Sequence, residues 1–333
     1  MRKEGFESDM KVLKDSKLYK PLLAAVLVVV LILFALLFPQ QEYLLLNLCT
    51  ICVYIVAVSG LDILVGFTGQ VSFGHAGFFA IGAYGSALLS MKLGIPVFVS
   101  MLLGACLSTL IAIPIGYFSS RLRVVFLTLS TTTFGTLVYL CISKLPFAGG
   151  FTGIFPPALT IFGQSLSERN RYFIFSLICA IIFLFIKQNI FTSRTGRAMC
   201  AVRENIAAAS GMGVNTRKYK VYAFTISAFY TGFAGAMYAH LIQYLSPDTF
   251  VFSQSITFVT VLVLGGRACL MGPILGAILL TGINTALLPL GQYKSLVYGV
   301  ILLLTLFFIP KGVVETVGSL IRKLTRGKNH AES

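Results

Sequence analysis

Long apolar stretches without Asp, Glu, Lys or Arg recur along the whole chain. A helix needs about 20 mostly apolar residues to cross the hydrocarbon core of a bilayer, and most of these stretches approach that length. Only 11% of the residues are charged, whereas soluble domains carry roughly 25%. So little charge cannot cover a water-exposed surface. The composition therefore excludes a soluble enzyme and indicates an all-α, polytopic membrane protein.

Ten of these stretches are predicted to span the membrane. They cover residues 21–38, 43–61, 71–91, 93–120, 124–143, 172–186, 221–245, 249–266, 268–290 and 295–310. The sixth is short, but Lys187 at its end can extend its ammonium group to the interface. The stretch 145–167 is also free of charge, but prolines and glycines interrupt it throughout, so we predict a loop there.

The basic residues predict the orientation of the spans. With both termini in the cytoplasm, 21 of the 26 Lys and Arg residues fall on the cytoplasmic side, as the positive-inside rule expects. The net charge of +15 therefore indicates membrane orientation rather than nucleic-acid binding. We predict a cytoplasmic basic tail at 1–20, a transmembrane domain at 21–311 with a cytoplasmic loop at 187–220, and a second basic tail at 312–333. No small-x-small cleavage site follows the first apolar run, so we interpret that run as a retained span.

Residues 60–86 combine many glycines with several polar side chains. Glycine lets helices approach closely, and it also permits unwound backbone that lines a cavity. The predicted packing glycines are Gly74, Gly77, Gly82 and Gly85. The candidate pathway residues are Asp62, Gln70, Ser72 and His75. A carboxylate inside a membrane must face protein or water. A pathway role and simple helix packing both stay open, and Asp62 could also cap a helix near the cytoplasmic surface.

The loop 187–220 contains a segment with helical periodicity. Its apolar side chains share one predicted helix face, which comprises Met199, Val202, Ile206 and Ala209. Alanines at 207–209 offer a small surface that a partner can approach, and Gly211 and Gly213 predict the end of the helix. We favour a docking helix. The alternative is an interfacial helix that lies on lipid, which its basic residues also suit.

A third segment, residues 264–282, contains Gly272 and Gly276 in GxxxG spacing. That spacing is typical of close helix packing, although a tight turn with a packing face explains it equally well. Cys49 and Cys52 have CxxC spacing without a second pair, so they are interpreted as core residues. The lone histidines, His75 and His240, predict no metal site. The sequence contains no P-loop and no catalytic constellation, so we predict neither an enzyme nor a bound cofactor.

Three segments carry a resemblance to a known family. They are GLDILVGFTGQVSFGHAGFFAIGAY, GRAMCAVRENIAAASGMGVNTRKYKVYAFTISAFYTGFAGAMYAH and VLVLGGRACLMGPILGAIL. Together they resemble LivM-type permease subunits of branched-chain amino acid ABC importers, from about residue 43 to 311. The resemblance implies four kinds of partner: a LivH-type permease, two ATP-binding subunits that hold the ATP, an extracytoplasmic binding protein and the bilayer of a bacterial inner membrane.

The resemblance also implies that the cytoplasmic loop couples the permease to the ATPases. The implied coupling residues are Arg203, Glu204, Ala207, Ala208, Ala209, Gly211 and Gly213. The general importer pattern is Glu-Ala-Ala, three residues, then Gly. Here Ala207 replaces the glutamate, and Glu204 lies one turn earlier, so the docking register stays open.

The implied function is translocation of branched-chain amino acids without an ATPase site in this chain. The same kind of permease for urea, short amides or simple sugars is an alternative. An ion-coupled carrier is a further alternative, for which Asp62 is the one candidate intramembrane acid.

Overall fold

The computed structural model describes residues 41–122, 124–161, 164–165, 168–293, 296–297 and 299–300. The first predicted span, most of the last one and both predicted tails lie outside these residues.

A pair of long helices opens the described chain. Helix α1 (Glu42–Thr68) is uniformly apolar in its middle and ends at Gly69, whose φ of 71° is left-handed. Residues 69–74 are not helical, and α2 (His75–Leu93) follows them. The span predicted at 71–91 therefore begins several residues late, because glycines on both sides of this stretch interrupt the helix.

Two further helices and an irregular segment follow. These helices are α3 (Val97–Ser119) and α4 (Val124–Lys144). The predicted loop contains short 3₁₀ turns at Pro146–Ala148 and Gly150–Thr152, and a small antiparallel hairpin of β1 (Thr160–Ile161) and β2 (Gln164–Ser165). An isolated bridge pairs Ile154 with Leu245. Backbone pairing of this kind satisfies polar groups that cannot form a helix.

Two long helices and four shorter ones follow in the described chain. They are α5 (Arg169–Thr192), α6 (Arg194–Glu204), α7 (Ile206–Gly211), α8 (Thr216–Ile242), α9 (Phe252–Gly265) and α10 (Met271–Ala286). Short 3₁₀ helices cover Pro247–Phe250 and Leu288–Tyr293. The side chain of Ser193 caps α6 by accepting from the Gly196 amide, and Asn215 caps α8 by accepting from the Lys218 amide.

Helices α1 and α8 form the centre of the bundle and pack against each other, while α2, α3 and α5 surround them. Small residues allow this close approach. A Cβ at Gly60 would meet the backbone oxygen of Ser227 at 2.9 Å, and one at Gly82 would meet the backbone of Gly232. Without a hydrophobic driving force between helices in lipid, such close packing supplies much of the association energy.

Across the described residues, five helices are long and apolar enough to cross a membrane, namely α1 to α5. Helices α9 and α10, with 14 and 16 residues, are shorter than a full span. The protein is thus a helical, multi-pass membrane protein, and the predicted number of ten spans remains a prediction. We call the two ends of the bundle the Arg203 end, where α1 ends and α6 lies, and the Glu42 end, where α1 begins.

Candidate functional site

The segment predicted as one docking helix is two helices. Helix α6 ends at Glu204, and α7 begins at Ile206. Between them, Asn205 is extended, and its side-chain oxygen accepts a hydrogen bond from the Ala208 amide at 3.0 Å. The single-helix prediction was wrong because an asparagine side chain competes for backbone groups and favours a new N-cap.

The buried face of this segment differs from the predicted one at one residue. Met199, Val202 and Ala209 are buried, whereas Ile206 is 50% exposed. The break at Asn205 rotates α7 relative to α6, so Ile206 leaves the face that helical periodicity assigned to it. Ala209 packs inward and is therefore not part of the small surface expected at 207–209.

The exposed side of α7 carries small residues. Ala207 and Ala208 are exposed, and a Cβ at Gly211 or Gly213 would meet no atom within 4 Å. Gly213 has a φ of 82°, a conformation that glycine adopts without strain. The predicted coupling residues Ala207, Ala208, Gly211 and Gly213 therefore form an open surface of small residues, which we call the α7 surface, and Met212, which is 86% exposed, lies between the two glycines in the chain.

The end of α6 contacts the end of α1. The guanidinium of Arg203 donates to the backbone oxygen of Gly66 at 2.6 Å, and it also pairs with Glu204 at 2.7 Å. The glutamate that lies one turn before Ala207 thus balances Arg203 at the surface. On the same helix, burial raises the pKa of the Cys200 thiol, the Arg203 guanidinium acts against this rise, and Glu204 adds to it.

A buried ion pair lies one turn deeper in α1. The Lys187 ammonium is 2.7 Å from Asp62 Oδ2, and their side chains are 2% and 0% exposed. Asp62 Oδ1 also accepts from the Ala268 amide at 2.7 Å, and Lys187 donates to the Cys269 carbonyl at 2.9 Å. Lys187 therefore does not extend to the interface as we predicted. A desolvated carboxylate that needs a cation is a stronger partner than lipid headgroups.

The other predicted pathway residues are also enclosed by protein. Gln70 donates to the Thr68 hydroxyl at 2.9 Å and to the Lys220 carbonyl at 3.2 Å. The His75 ring shares a 2.7 Å hydrogen bond with the Ser227 hydroxyl. Ser72 is fully buried and accepts from the Gly74 amide at 3.4 Å. In this conformation all three side chains are buried in the protein, and their role in a pathway stays a prediction.

The glycines singled out for packing lie at helix crossings. A Cβ at Gly74 would meet the Thr131 carbonyl, and one at Gly77 would lie 3.1 Å from the Gly135 Cα. Gly85 faces Gly104 with ordinary spacing. A Cβ at Gly276 would meet the backbone oxygen of Val261 on α9, and one at Gly272 would meet that of Gly266, which follows α9 directly. These two glycines therefore allow α9 and α10 to pack closely against each other as a helical hairpin.

Sequence reasoning missed two polar contacts between helices. One is the Asp62–Lys187 pair. The other is His240, whose Nδ1 donates to the Pro157 carbonyl at 2.8 Å while its Nε2 lies 2.8 Å from the Ser86 hydroxyl. In the described part of the chain, His, Cys, Asp and Glu side chains form no group of three that could hold a metal ion. The sequence did show polar residues within or directly beside long apolar stretches. One sequence, however, does not show which residue pairs with each of them.

The fold and these contacts define a class. It is that of a multi-pass helical membrane protein with close glycine crossings and a short helix pair packed at one end of the bundle. A family model described as "Branched-chain amino acid transport system / permease component" matches residues 43–306. The chain belongs to this family.

Three relatives illustrate the range of the similarity. The chain is 29% identical over 287 residues to the high-affinity branched-chain amino acid permease protein LivM of Escherichia coli, covering 79% of this chain and 68% of LivM. It is 31% identical over 125 residues to LivH of the same organism, covering 37% and 40% of the two chains. It is 24% identical over 261 residues to the ribose import permease protein RbsC of Haemophilus influenzae, covering 73% and 74%.

Proposed function

We propose that this chain is the LivM-type permease subunit of an ABC importer that moves branched-chain amino acids across a bacterial inner membrane. The observation that carries the proposal is the α7 surface, which is small, exposed and anchored by buried residues on its other side. The similarity to LivM along most of the chain supports the substrate class. In this account the energy comes from ATP on partner subunits, and the chain itself binds no nucleotide.

The Arg203 end faces the cytoplasm in this proposal, and both termini lie there too. The charge distribution supports this orientation, because seven Lys and Arg residues fall in 187–220. The Glu42 end then faces the extracytoplasmic binding protein. The partial similarity to LivH supports a homologous permease as the second half of the pathway.

Coupling follows from the geometry of the α7 surface. ATP binding draws the two ATPases together, and a groove on one of them moves α7. Helix α6 is continuous with α5 except for the cap at Ser193, and Met199 and Val202 seat it against the bundle. Motion of α7 therefore reaches the membrane helices through a packed connection rather than a loose loop.

Uptake of isotope-labelled substrates tests the cargo. The wild-type permease is assembled in proteoliposomes with its second permease, its ATPases and its binding protein, and leucine, urea and ribose are supplied separately. We expect uptake of leucine that depends on ATP. The similarity to RbsC supports a simple sugar as the second candidate. Uptake of ribose or urea instead of leucine would contradict the assigned substrate class.

The exchange Ala208→Arg tests the docking role. A long cationic side chain on the α7 surface should block the ATPase groove and reduce uptake and substrate-stimulated ATP hydrolysis together. Thr192→Arg is the matched control, because it adds the same side chain to an exposed position outside the coupling residues. Normal uptake by the Ala208 variant would overturn the coupling assignment.

A further inference from the structure

The Arg203 end contains a continuous series of polar contacts that starts at the coupling segment. Arg203 Nη1 donates to the carbonyl of Gly66 at 2.6 Å. One turn earlier on α1, Asp62 pairs with Lys187 of α5 at 2.7 Å. Helix α1 thus meets α5 and α6, which lie more than a hundred residues later in the chain, at two positions one turn apart. Arg203 is partly exposed, whereas the ion pair is buried.

The same carboxylate fixes the turn between α9 and α10. Ala268 adopts a φ of 55°, which is a left-handed conformation that alanine rarely takes. Its amide donates to Asp62 Oδ1 at 2.7 Å, and the next carbonyl, of Cys269, accepts from Lys187 at 2.9 Å. Both charges of the pair therefore hold the backbone of this one turn.

The end of α1 is closely packed on two sides. A Cβ at Gly66 would meet Asp62 Oδ1 and would lie 2.8 Å from the Ala268 amide nitrogen. A Cβ at Gly69 would lie 3.2 Å from the Arg203 side chain. The end of α1 is thus in direct contact with the coupling segment on one side and with the α9–α10 turn on the other.

We propose that Asp62 and Lys187 are positioning residues that connect the coupling segment, through Arg203 and the end of α1, to the α9–α10 turn. This inference rests on the proposed function. When α7 moves, Arg203 carries the end of α1 with it, and the ion pair transfers that displacement to α9 and α10. An ion pair suits this task because its two charges and two backbone partners allow few alternative arrangements.

Stability alone does not account for this pair. Removing two charges from water costs about as much as their attraction returns, so a neutral pair of similar volume is often as stable. The combined exchange Asp62→Asn with Lys187→Met therefore keeps the bundle while it removes the charged connection. A purely structural pair would leave the number of substrate molecules imported per ATP unchanged in this variant.

The test compares uptake and ATP hydrolysis in the assembled complex, with labelled leucine as the cargo. For the double variant we expect copurification with the ATPases and a fall in leucine imported per ATP hydrolysed of at least about fivefold, the size of a typical coupling between sites. An unchanged ratio would overturn the inference, whether uptake and hydrolysis both stay at the wild-type level or fall in proportion.

Arg203→Met provides a second test at the partly exposed end of the series. Its matched control is Arg197→Met on the same helix, since Arg197 is exposed and its guanidinium donates to the Thr192 carbonyl at 2.8 Å rather than to α1. We expect a lower ratio for Arg203→Met and an unchanged ratio for the control. If the double variant does not assemble, the comparison of Arg203→Met with Arg197→Met decides. Equal amounts of leucine imported per ATP hydrolysed by these two variants would then overturn the inference. A wild-type complex that hydrolyses ATP but imports none of the three substrates would instead overturn the proposed function.

Discussion

The two ends of the bundle are held together by different chemistry. At the Arg203 end, full charges are buried, because Asp62 and Lys187 pair in the interior and Arg203 reaches the end of α1. At the Glu42 end, neutral groups dominate the interior: His240 bridges Ser86 and Pro157. A buried charge that loses its partner costs more free energy than a neutral group that loses a hydrogen bond, so a buried ion pair disfavours alternative helix arrangements more strongly. The comparison indicates that the Arg203 end specifies the relative positions of the helices most strictly.

The largest effect is expected for Lys187→Met alone. This exchange leaves Asp62 charged, buried and without its cation, a change that costs about 3–5 kcal/mol in comparable sites. Thermal unfolding of the detergent-solubilised protein should show a much lower midpoint than for the double variant with Asp62→Asn. The control is Lys92→Met at the exposed surface of the Glu42 end. Equal unfolding midpoints for Lys187→Met and this control would show that the buried ion pair contributes no more to stability than an exposed lysine does.

Gly66→Ala tests how closely the Arg203 end is packed. The new methyl group would meet Asp62 Oδ1 and the Ala268 amide, and overpacking of this kind costs about 1–3 kcal/mol. Gly211→Ala is the matched control, since a Cβ there meets no atom within 4 Å. We expect the Gly66 variant to unfold at a lower temperature than the Gly211 variant. The reverse order would contradict the described packing at Gly66.

Ser86→Ala probes the interior of the Glu42 end. The exchange removes the hydroxyl partner of His240, and leaving a buried neutral group without its hydrogen-bond partner costs about 1–3 kcal/mol. We expect a modest drop in the unfolding midpoint and no change in leucine imported per ATP hydrolysed. A fall in that ratio comparable with the Asp62–Lys187 double variant would remove the functional contrast between the two ends.

Glu42→Gln should have the smallest effect of the series. Its carboxylate lies 3.8 Å from the Arg169 guanidinium, and the two side chains are 77% and 37% exposed, respectively. Exposed ion pairs of this kind contribute about 0–1 kcal/mol. The unfolding midpoint should stay within experimental error of the wild type at ordinary salt. A large decrease would mean that charge stabilises this end as strongly as it does the other.

Sequence patterns predicted much of the helical framework. The limits of α3 and α4 lie within a few residues of the apolar stretches at 93–120 and 124–143, because charged or breaking residues stand on both sides of them. The loop at 145–167 followed from its prolines and glycines. The start of α2 was harder to place, since an apolar composition does not distinguish a helix from the unwound residues 69–74.

The candidate site was less accessible from sequence. Periodicity places residues on a helix face, but it does not show that Asp62 meets Lys187 from a helix more than a hundred residues away. The predicted position of Ile206 on the buried face was wrong for a local reason. Asn205 caps a new helix, so the helical periodicity does not continue across it. An asparagine inside a segment with helical periodicity, such as Asn205, indicates that a helix can end and a new one begin there.

The proposed coupling role requires the α7 surface to lie on the cytoplasmic side of the membrane, and cysteine labelling determines on which side it lies. Gly211→Cys is prepared in a chain whose seven native cysteines are replaced, and Lys92→Cys in the same background marks the Glu42 end. Spheroplasts are treated with a membrane-impermeant maleimide before and after permeabilisation. We expect the cysteine at position 92 to react at once and the cysteine at position 211 to react only after permeabilisation. Reaction of the residue at 211 in intact spheroplasts would place α7 beyond the reach of any cytoplasmic ATPase and would contradict the account.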